Sequence, residues 1–294
     1  MTQLVQLALT GVMVGGLYAM VAVAIVLVYK STRVVSLAHG QIMSFGALAF
    51  WFAIIPWGLP ILVGLAVALG FAVILGWGIE RFAMRPLIGQ PLFAAFLNTF
   101  ALFLVMDGVF QLALKGSSES FSSFLPGGMV SIHGVPVPLS HVVSFLVAIS
   151  LFAALALMFR YTKVGLGMRA TAEDHQLAQS TGISVRSIFS VIWVISAVVA
   201  AVAGIALANV MDISYPLPYV GIKGLIVALL GGLESLPGAL LGGLILGLLE
   251  NVSAGYLDPL VGGGVKEVAA YVLLLLILLI KPYGLFGLVR IERI

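Results

Sequence analysis

Long apolar stretches separated by short polar segments make up most of the chain. Crossing a hydrocarbon core of about 30 Å takes about 20 apolar residues in a helix, and Leu4–Tyr29 is longer than this and carries no charge. It also exceeds the apolar core of a cleavable signal peptide, which is about 7–15 residues. We therefore predict a first transmembrane helix over Leu4–Tyr29. The next five predicted spans, bounded by charged residues, Gly or Pro, are Ser36–Ile55, Ile61–Ile79, Leu92–Leu114, His141–Phe159 and Ile188–Val210.

The pattern changes between residues 221 and 251, where the apolar run is interrupted and neither half reaches about 20 residues. We predict a short or re-entrant helix near 222–233 and a second helix near 237–251. Their break should lie inside the bundle, because non-helical backbone at membrane depth needs protein or a water-filled cavity around it. The residues that interrupt the run are Gly231-Gly232, Glu234 and Pro237-Gly238.

Val265–Ile280 is the last predicted span. The whole pattern predicts an all-α polytopic membrane protein, a bundle of eight or nine hydrophobic helical segments of which one is short or re-entrant. Residues 1–294 are expected to form a single transmembrane domain, with one charged cytoplasmic loop at about 160–187 that we call the charged segment.

The composition excludes the soluble classes. Of 294 residues, 62% are hydrophobic and 9% are charged, against about 25% charged residues in an ordinary soluble domain. A cytosolic enzyme or a nucleic-acid binder is therefore excluded, and the lipid bilayer is the expected surrounding. The absence of cysteine rules out disulfides and Cys-ligated zinc. No Walker-type, His-Glu-x-x-His or Gly-x-Ser-x-Gly motif is present, so we expect no catalytic residue, metal or cofactor in this chain.

Lys and Arg are distributed unevenly between the two sides of the predicted bundle. We place the N-terminus outside and count both segments between 222 and 251 as crossings. Eleven Lys and Arg residues then lie on one side and three on the other. The positive-inside rule assigns the richer side to the cytoplasm, which puts the N-terminus outside and the C-terminus in the cytoplasm. The eleven are Lys30, Arg33, Arg81, Arg85, Arg160, Lys163, Arg169, Arg186, Lys281, Arg290 and Arg293, and the three are Lys115, Lys223 and Lys266.

Four polar residues lie inside the predicted spans. A charged side chain there costs about 2–3 kcal/mol by insertion scales, so we expect each of the four to have a structural or functional role. Asp107 is the only ionisable residue expected to be clear of both interfaces, and it is either a buried structural partner or part of a solute path. Asn98 precedes it by nine residues and therefore faces the opposite side of a straight helix. His39 is expected to be a satisfied helix-end residue rather than a proton relay. Glu250, near the outer end of its helix, is interpreted as structural, with snorkelling to the interface as the simplest arrangement.

Pairs of glycines recur at a spacing of four residues and place two small residues on one helix face. This spacing allows close approach of helix backbones. Packing within the chain is the expected role, and a subunit interface is the alternative. The pairs are Gly11 with Gly15, Gly238 with Gly242, and Gly243 with Gly247.

The charged segment contains the signals of a short helix outside the membrane. Thr171 with Asp174 three residues on is typical of an N-terminal capping pair, and Gly182 suits a helix stop. Such a helix is too polar for lipid and shorter than the roughly 12–15 residues at which an isolated helix is even marginal in water. We expect a protein partner in the cytoplasm to hold it; a solvated loop is the alternative.

The charged segment also carries a specific residue pattern. The pattern Gly-x3-Arg-Ala-x2-[Glu/Asp]-[Asp/Asn]-x3-Ala-x3-Gly-Ile is matched at Gly165, Arg169, Ala170, Glu173, Asp174, Ala178, Gly182 and Ile183. Here the chain resembles the permease subunits of bacterial ABC importers for branched-chain amino acids, the Liv type. Further segments similar to that family are Gly16–Met20, Leu37–Gln41 with Gly46-Ala47, Lys223-Gly224, Leu230–Gly232 with Pro237–Ala239 and Gly242-Gly243, Gly247–Glu250, and Pro282–Gly287.

The resemblance implies an inner-membrane subunit of a larger complex. Its fold would be shared with sugar permeases of the same superfamily, and its length is similar to that of the H-type subunit. The implied partners are a homologous M-type permease, two cytoplasmic ATPase subunits that use ATP and Mg, and a periplasmic substrate-binding protein. The charged segment would then be the loop that couples this chain to an ATPase.

The sequence departs from the family near the start of the second span. Ser36 stands where relatives commonly have Asn, and Gln41 where they often have Glu or Asp, both beside His39. These three residues and Asn98 are the candidate solute-path residues. The solute is expected to be a branched-chain or other hydrophobic amino acid, with urea, short amides or aromatic acids as alternatives.

Two other classes remain open on the residues alone. An ATP-independent secondary transporter or channel for a small neutral solute would have the same composition. A membrane-embedded enzyme is disfavoured because no nucleophile is paired with a base.

Overall fold

A computed structural model describes residues 2–120, 128–132, 134–173 and 175–287. The helices are α1 (Thr2–Thr32), α2 (His39–Ile54), α3 (Ile61–Gly78), α4 (Leu92–Leu114), α5 (Leu139–Tyr161), α6 (Lys163–Glu173), α7 (His175–Ser180), α8 (Val185–Met211), α9 (Val220–Gly231), α10 (Leu236–Val261) and α11 (Val265–Ile280). A π-helical turn, Ile79–Met84, extends α3, and a 3-10 turn, Leu217–Tyr219, leads into α9.

Six helical stretches are long and apolar enough to cross a membrane: Gln3–Thr32, Ile61–Leu87, Leu92–Leu114, Leu139–Tyr161, Val185–Met211 and Leu236–Val261. His39–Ile54 and Leu217–Gly231 are shorter apolar stretches. An all-α protein that crosses the membrane several times is therefore confirmed. The total of eight or nine membrane segments stays a prediction.

A β-hairpin occupies part of the connection between α4 and α5. Strand β1 (Met129–Ile132) pairs antiparallel with β2 (Val135–Pro138). Val135 and Val137 are buried and pack with Met13 of α1. The alternation of buried and exposed residues along β2 is typical of a strand with one face on the protein.

The central helix is α1, which is buried along most of its length and packs against α10 through the predicted glycine pairs. A Cβ added to Gly11 would lie 2.7 Å from the carbonyl oxygen of Gly247, and one added to Gly243 would lie 2.7 Å from Cβ of Ala19. Gly15 and Gly243 approach just as closely. The two glycine motifs thus face each other in antiparallel helices, and the expectation of packing within the chain is confirmed.

Helix α10 is longer than predicted. Its end was expected at Asn251, yet it has 26 residues and ends at Val261. The reason is that its polar residues have partners inside the bundle: Asn251 Nδ2 donates to Thr10 Oγ1 at 3.1 Å, and Tyr18 donates to Glu250. Because these side chains need no water, the helix continues past them. The prediction that neither half of this region reaches about 20 residues is wrong for α10.

The break between α9 and α10 is confirmed and is covered by protein. Gly232 ends α9 with a φ of +101°, a conformation that side chains disfavour, and Ser235 caps α10 by accepting from the Gly238 N–H. The chain end folds back over the break. The backbone N–H of Leu285 donates to the Leu230 carbonyl at 2.8 Å, and that of Phe286 donates to the Gly231 carbonyl at 3.1 Å.

Candidate functional site

A second break lies between α1 and α2, where the chain returns into the bundle before α2 begins. The first turn of α2 then meets the first turn of α9. A Cβ added to Gly40 would lie 2.9 Å from Gly221 Cα, so the two helices touch through their backbones. We call this region, Ser36–Gln41 together with Pro218–Gly221, the α2–α9 junction.

His39 holds the junction against α1 and α8. Its Nε2 lies 2.6 Å from Ser196 Oγ, and that hydroxyl donates to the Ala24 carbonyl at 2.7 Å. The imidazole ring stacks on Trp193 with centroids 5.7 Å apart. His39 is fully buried. Its Nε2 is paired with Ser196, whereas its Nδ1 has no hydrogen-bond partner among the described residues, so the expectation of a satisfied helix-end residue is met at one ring nitrogen only.

Ser36 and Gln41 bring uncharged polar groups to the same junction. Both residues are fully buried. Within the part of the chain that the structure describes, Ser36 Oγ and both polar atoms of the Gln41 amide have no hydrogen-bond partner. Buried polar groups in proteins are usually paired. The junction therefore carries one hydroxyl, one amide and one imidazole nitrogen, His39 Nδ1, without a hydrogen-bond partner among the described residues.

Asn98, the fourth candidate path residue, lies elsewhere. Its Nδ2 donates to the Ala83 carbonyl at 3.0 Å and to Met84 sulfur at 3.4 Å, which stabilises the π-helical end of the α3 stretch. Its neighbour Thr99 contacts the returning chain instead, accepting from the Leu37 N–H at 3.4 Å. The structure thus brings Ser36, His39 and Gln41 together and leaves Asn98 apart.

A cavity of about 500 Å³ lies at the start of α9 and was not foreseen from the sequence. We call it the tyrosine chamber. Three tyrosines, two lysines and a glutamate give it polar and charged groups, and the rest of its wall is apolar. The lining residues are Tyr18, Met211, Tyr215, Pro216, Tyr219, Val220, Lys223, Lys266 and Glu267.

A buried ion network forms one wall of the tyrosine chamber. Lys223 Nζ lies 3.2 Å from Glu250 Oε1 and 3.0 Å from Glu267 Oε1. Tyr18 donates its hydroxyl to Glu250 Oε2 at 3.1 Å. Glu250 is fully buried and Lys223 is buried, so Glu250 does not snorkel. The two groups pair with each other inside the protein, where a charge needs such a partner.

Asp107 of α4 is connected to the tyrosine chamber by a hydrogen bond from Tyr219, which lines the chamber. Its Oδ2 accepts from Gln111 Nε2 at 2.6 Å and from the Tyr219 hydroxyl at 3.4 Å. The hydroxyls of Tyr215 and Tyr219 lie 3.1 Å apart. Among the described residues, the hydrogen-bond partners of Asp107 are an amide and a phenol, and no cation pairs with it.

The described part of the charged segment is helical over α6 and α7. Thr171 lies inside α6 and its hydroxyl donates to the Gly167 carbonyl at 2.9 Å, so the predicted capping role of Thr171 is wrong. Its proposed partner Asp174 lies outside the described residues. Gly182 has a φ of +85° directly after α7, which confirms the predicted helix stop. Ala178 is buried between these features.

Arg169 and Glu173 share one face of α6 but do not pair with each other. Arg169 donates instead to the Phe159 carbonyl at the end of α5, which fixes α6 to the bundle. Gly165 also packs against that end of α5, where a Cβ would lie 2.7 Å from the Met158 carbonyl oxygen. Ala170 is partly buried and Glu173 is exposed. Large apolar side chains are exposed on both helices, at Leu166 and Leu177.

The described residues contain no group of three or more His, Asp or Glu side chains that could hold a metal ion.

Known proteins resemble this chain over nearly its whole length. Residues 7–281 match the family model of the branched-chain amino acid transport system permease component. The chain is 29% identical to LivH of Escherichia coli strain K12, over 97% of this chain and 96% of LivH, and 30% identical with the same coverage to LivH of Salmonella typhimurium strain LT2. It is 29% identical to BraD of Pseudomonas aeruginosa, over 98% and 97% of the two chains. All three are named as permease proteins of high-affinity branched-chain amino acid transport systems.

One solved structure has a similar fold. It is an inward-facing conformation of a transporter assigned to the metal-chelate ABC type, with a TM-score of 0.50 and 17% identity over 94% of this chain and 87% of that chain. At that identity the likeness concerns the fold alone. From the match over residues 7–281 and the full-length relatives, the chain belongs to the family of branched-chain amino acid transport system permease components.

Proposed function

We propose that the chain is the transmembrane permease subunit of an ATP-binding cassette importer that moves branched-chain or other hydrophobic amino acids inward across the plasma membrane. The observation that carries the proposal is membership of the permease family over residues 7–281. The chain itself has no nucleotide-binding motif, so ATP and Mg are used by other subunits.

The proposed complex contains four kinds of chain. Beside this H-type subunit it holds a homologous M-type permease, two cytoplasmic ATPase subunits and a periplasmic substrate-binding protein. The single transmembrane domain spans residues 1–294 with the N-terminus outside and the C-terminus in the cytoplasm. The asymmetry of Lys and Arg supports this orientation. Helices α2, α9 and α11 add to the six long helices, which gives a bundle of up to nine segments.

An ATPase subunit docks on the charged segment in this proposal. The exposed Leu166 and Leu177 support it, because large apolar side chains on short polar helices are typical of a contact surface. The fixation of α6 to the end of α5 supports it as well, since a force applied there reaches a membrane helix directly. The residues assigned to this docking loop are Gly165, Arg169, Ala170, Glu173, Asp174, Ala178 and Gly182.

The solute path in this proposal runs past the α2–α9 junction. The unused hydroxyl of Ser36 and amide of Gln41 support this, since a neutral or zwitterionic solute can exchange water for such groups without a fixed charge at the midplane. His39 and Asn98 have structural partners in the conformation described here. They contact solute only if the junction opens.

Copurification tests the proposed complex. The tagged chain, expressed with the subunits encoded beside it, should retain an ATPase. Gly182→Val should lose that ATPase while the chain still inserts, because a φ of +85° tolerates a β-branched side chain poorly. Gly116→Val is the matched control, since Gly116 also has a positive φ, with open space around it, in the α4–α5 connection. A chain that purifies alone and transports solute without ATP would contradict the proposal.

A further inference from the structure

We propose that the tyrosine chamber is a binding site for the charged head group of a zwitterionic amino acid, with the solute carboxylate at Lys266 and its ammonium group at Glu267. The inference rests on the proposed function, because it assigns a place in this chain to the transported solute. It adds a site that the sequence motifs did not indicate.

The two lysines of the chamber have different surroundings. Lys223 is held between two carboxylates, at 3.2 Å from Glu250 and 3.0 Å from Glu267. Lys266 lines the same cavity from the first turn of α11 and forms no ion pair with any residue that the structure describes. Lys266 is therefore the cation that remains available to an incoming carboxylate.

The carboxylate of Glu267 is available to a cation. Its side chain is 64% exposed, and only Oε1 is engaged, by Lys223. Glu250, in contrast, is fully buried and receives both Tyr18 and Lys223. An ammonium group in the chamber thus meets Glu267, which lines it, rather than Glu250.

The chamber offers a solute one group of each charge. Lys266 forms no ion pair with a described residue, and Glu267 is engaged by Lys223 at one carboxylate oxygen. A zwitterion can meet both groups, whereas an anion or a cation can meet only one of them. A neutral solute such as urea would leave the charge of Lys266 unmatched. The arrangement therefore favours a zwitterion over the other solute classes.

The remaining wall suits an apolar side chain. Met211, Pro216 and Val220 supply aliphatic surface, and the three tyrosines supply aromatic faces. The volume of about 500 Å³ falls within the range of about 300–1,000 Å³ that is usual for small-molecule sites. Mixed apolar walls with a few placed polar groups are also usual for such sites.

The chamber lies next to the closed junction. Val220 lines the chamber, and the following residue, Gly221, contacts Gly40 of the α2–α9 junction. A solute in the chamber is thus one residue of α9 away from the contact between Gly221 and Gly40. Separation of α2 and α9 would connect the chamber to the hydroxyl of Ser36 and the amide of Gln41.

The test measures ATP-driven leucine uptake by the reconstituted complex at saturating binding protein, together with ATP hydrolysis stimulated by leucine-loaded binding protein. Lys266→Met and Glu267→Gln should each lower leucine uptake at least tenfold and leave the stimulation of ATP hydrolysis within about twofold of wild type. Lys266→Arg should keep most of the uptake, because the positive charge at this position remains. Lys115→Met, an exposed lysine outside the chamber, is the matched control and should transport normally.

Wild-type uptake in both single variants would overturn the inference while leaving the proposed function intact. Loss of stimulated ATP hydrolysis together with uptake would also overturn it, because these residues would then serve the binding protein rather than the solute. A wild-type complex that imports no amino acid would instead contradict the proposed function itself.

Discussion

The Arg33 guanidinium group forms an ion pair with the Glu234 carboxylate and so ties the end of α1 to the turn between α9 and α10. The same guanidinium donates to the Ala172 carbonyl of α6 at 3.0 Å. One side chain thus joins the charged segment to the end of the short helix α9. The other end of α9 forms the tyrosine chamber and the α2–α9 junction, so α9 lies between the proposed ATPase contact and the proposed solute path.

We expect Glu234→Gln to weaken the coupling between ATP hydrolysis and transport. The substitution keeps the shape of the side chain but removes the charge that holds Arg33 between α6 and the α9–α10 turn. The number of leucine molecules imported per ATP hydrolysed by the reconstituted complex should fall several-fold. Glu119→Gln, in the α4–α5 connection, provides the control. An unchanged ratio for Glu234→Gln would show that this ion pair has no role in coupling.

The glycine contact between α1 and α10 should be sensitive to a single methyl group. Gly243→Ala should lower the midpoint of thermal unfolding of the purified complex, because its Cβ would approach Cβ of Ala19 and the backbone of Gly15. Overpacking of this kind costs about 1–3 kcal/mol. Gly70→Ala in α3 is matched in chemistry and lies in open space, so it should leave the midpoint unchanged. Equal midpoints for the two variants would contradict the antiparallel glycine packing.

Asp107 should tolerate loss of its charge but not of its hydrogen bonds. Asp107→Asn keeps an acceptor for Gln111 and Tyr219, each a neutral hydrogen bond of about 1 kcal/mol. Complex yield and leucine uptake should stay within about twofold of wild type. Asp107→Leu should lower the yield, since Gln111 then loses its buried acceptor. Complete loss of uptake at normal yield in Asp107→Asn would instead give the charge of Asp107 a role in transport.

The orientation of the chain can be tested with single introduced cysteines, because the natural sequence contains none. Ser118 and Ser180 are both exposed, in the α4–α5 connection and at the end of α7. With the charged segment in the cytoplasm, Ser118→Cys should react with a membrane-impermeant maleimide in intact cells. Ser180→Cys should react only after permeabilisation. The reverse pattern would invert the topology.

Helix boundaries were predicted well where a proline, a glycine or a charged residue marks them in the sequence. Helix α4 begins after Pro91 and ends at Leu114, before Lys115, which has a left-handed φ of 51°, and both bounds follow from the sequence. The stop at Gly182 and the break at Gly232 follow likewise from glycine. The β-hairpin was not predicted. The capping role of Thr171 was predicted wrongly, because packing of α6 overrides the capping signal.

The candidate site was harder to predict because its partners are distant in the sequence. The count of Lys and Arg placed Lys223 on the outer side, yet its partners Glu250 and Glu267 lie 27 and 44 residues further along. Only the packing of α9 on α10 and α11 brings these three side chains together. The same packing explains why α10 continues past Glu250. By contrast, Ser36, His39 and Gln41 are close in sequence, and their common position was therefore predictable.

The most direct test of the proposed function is leucine uptake into proteoliposomes that contain the complete complex, with ATP inside on the ATPase face and the binding protein on the other face. We predict uptake that depends on ATP hydrolysis and on leucine-loaded binding protein, and that stops when a non-hydrolysable ATP analogue replaces ATP. Uptake at the same rate without ATP would contradict the importer function and would favour a channel or a secondary transporter.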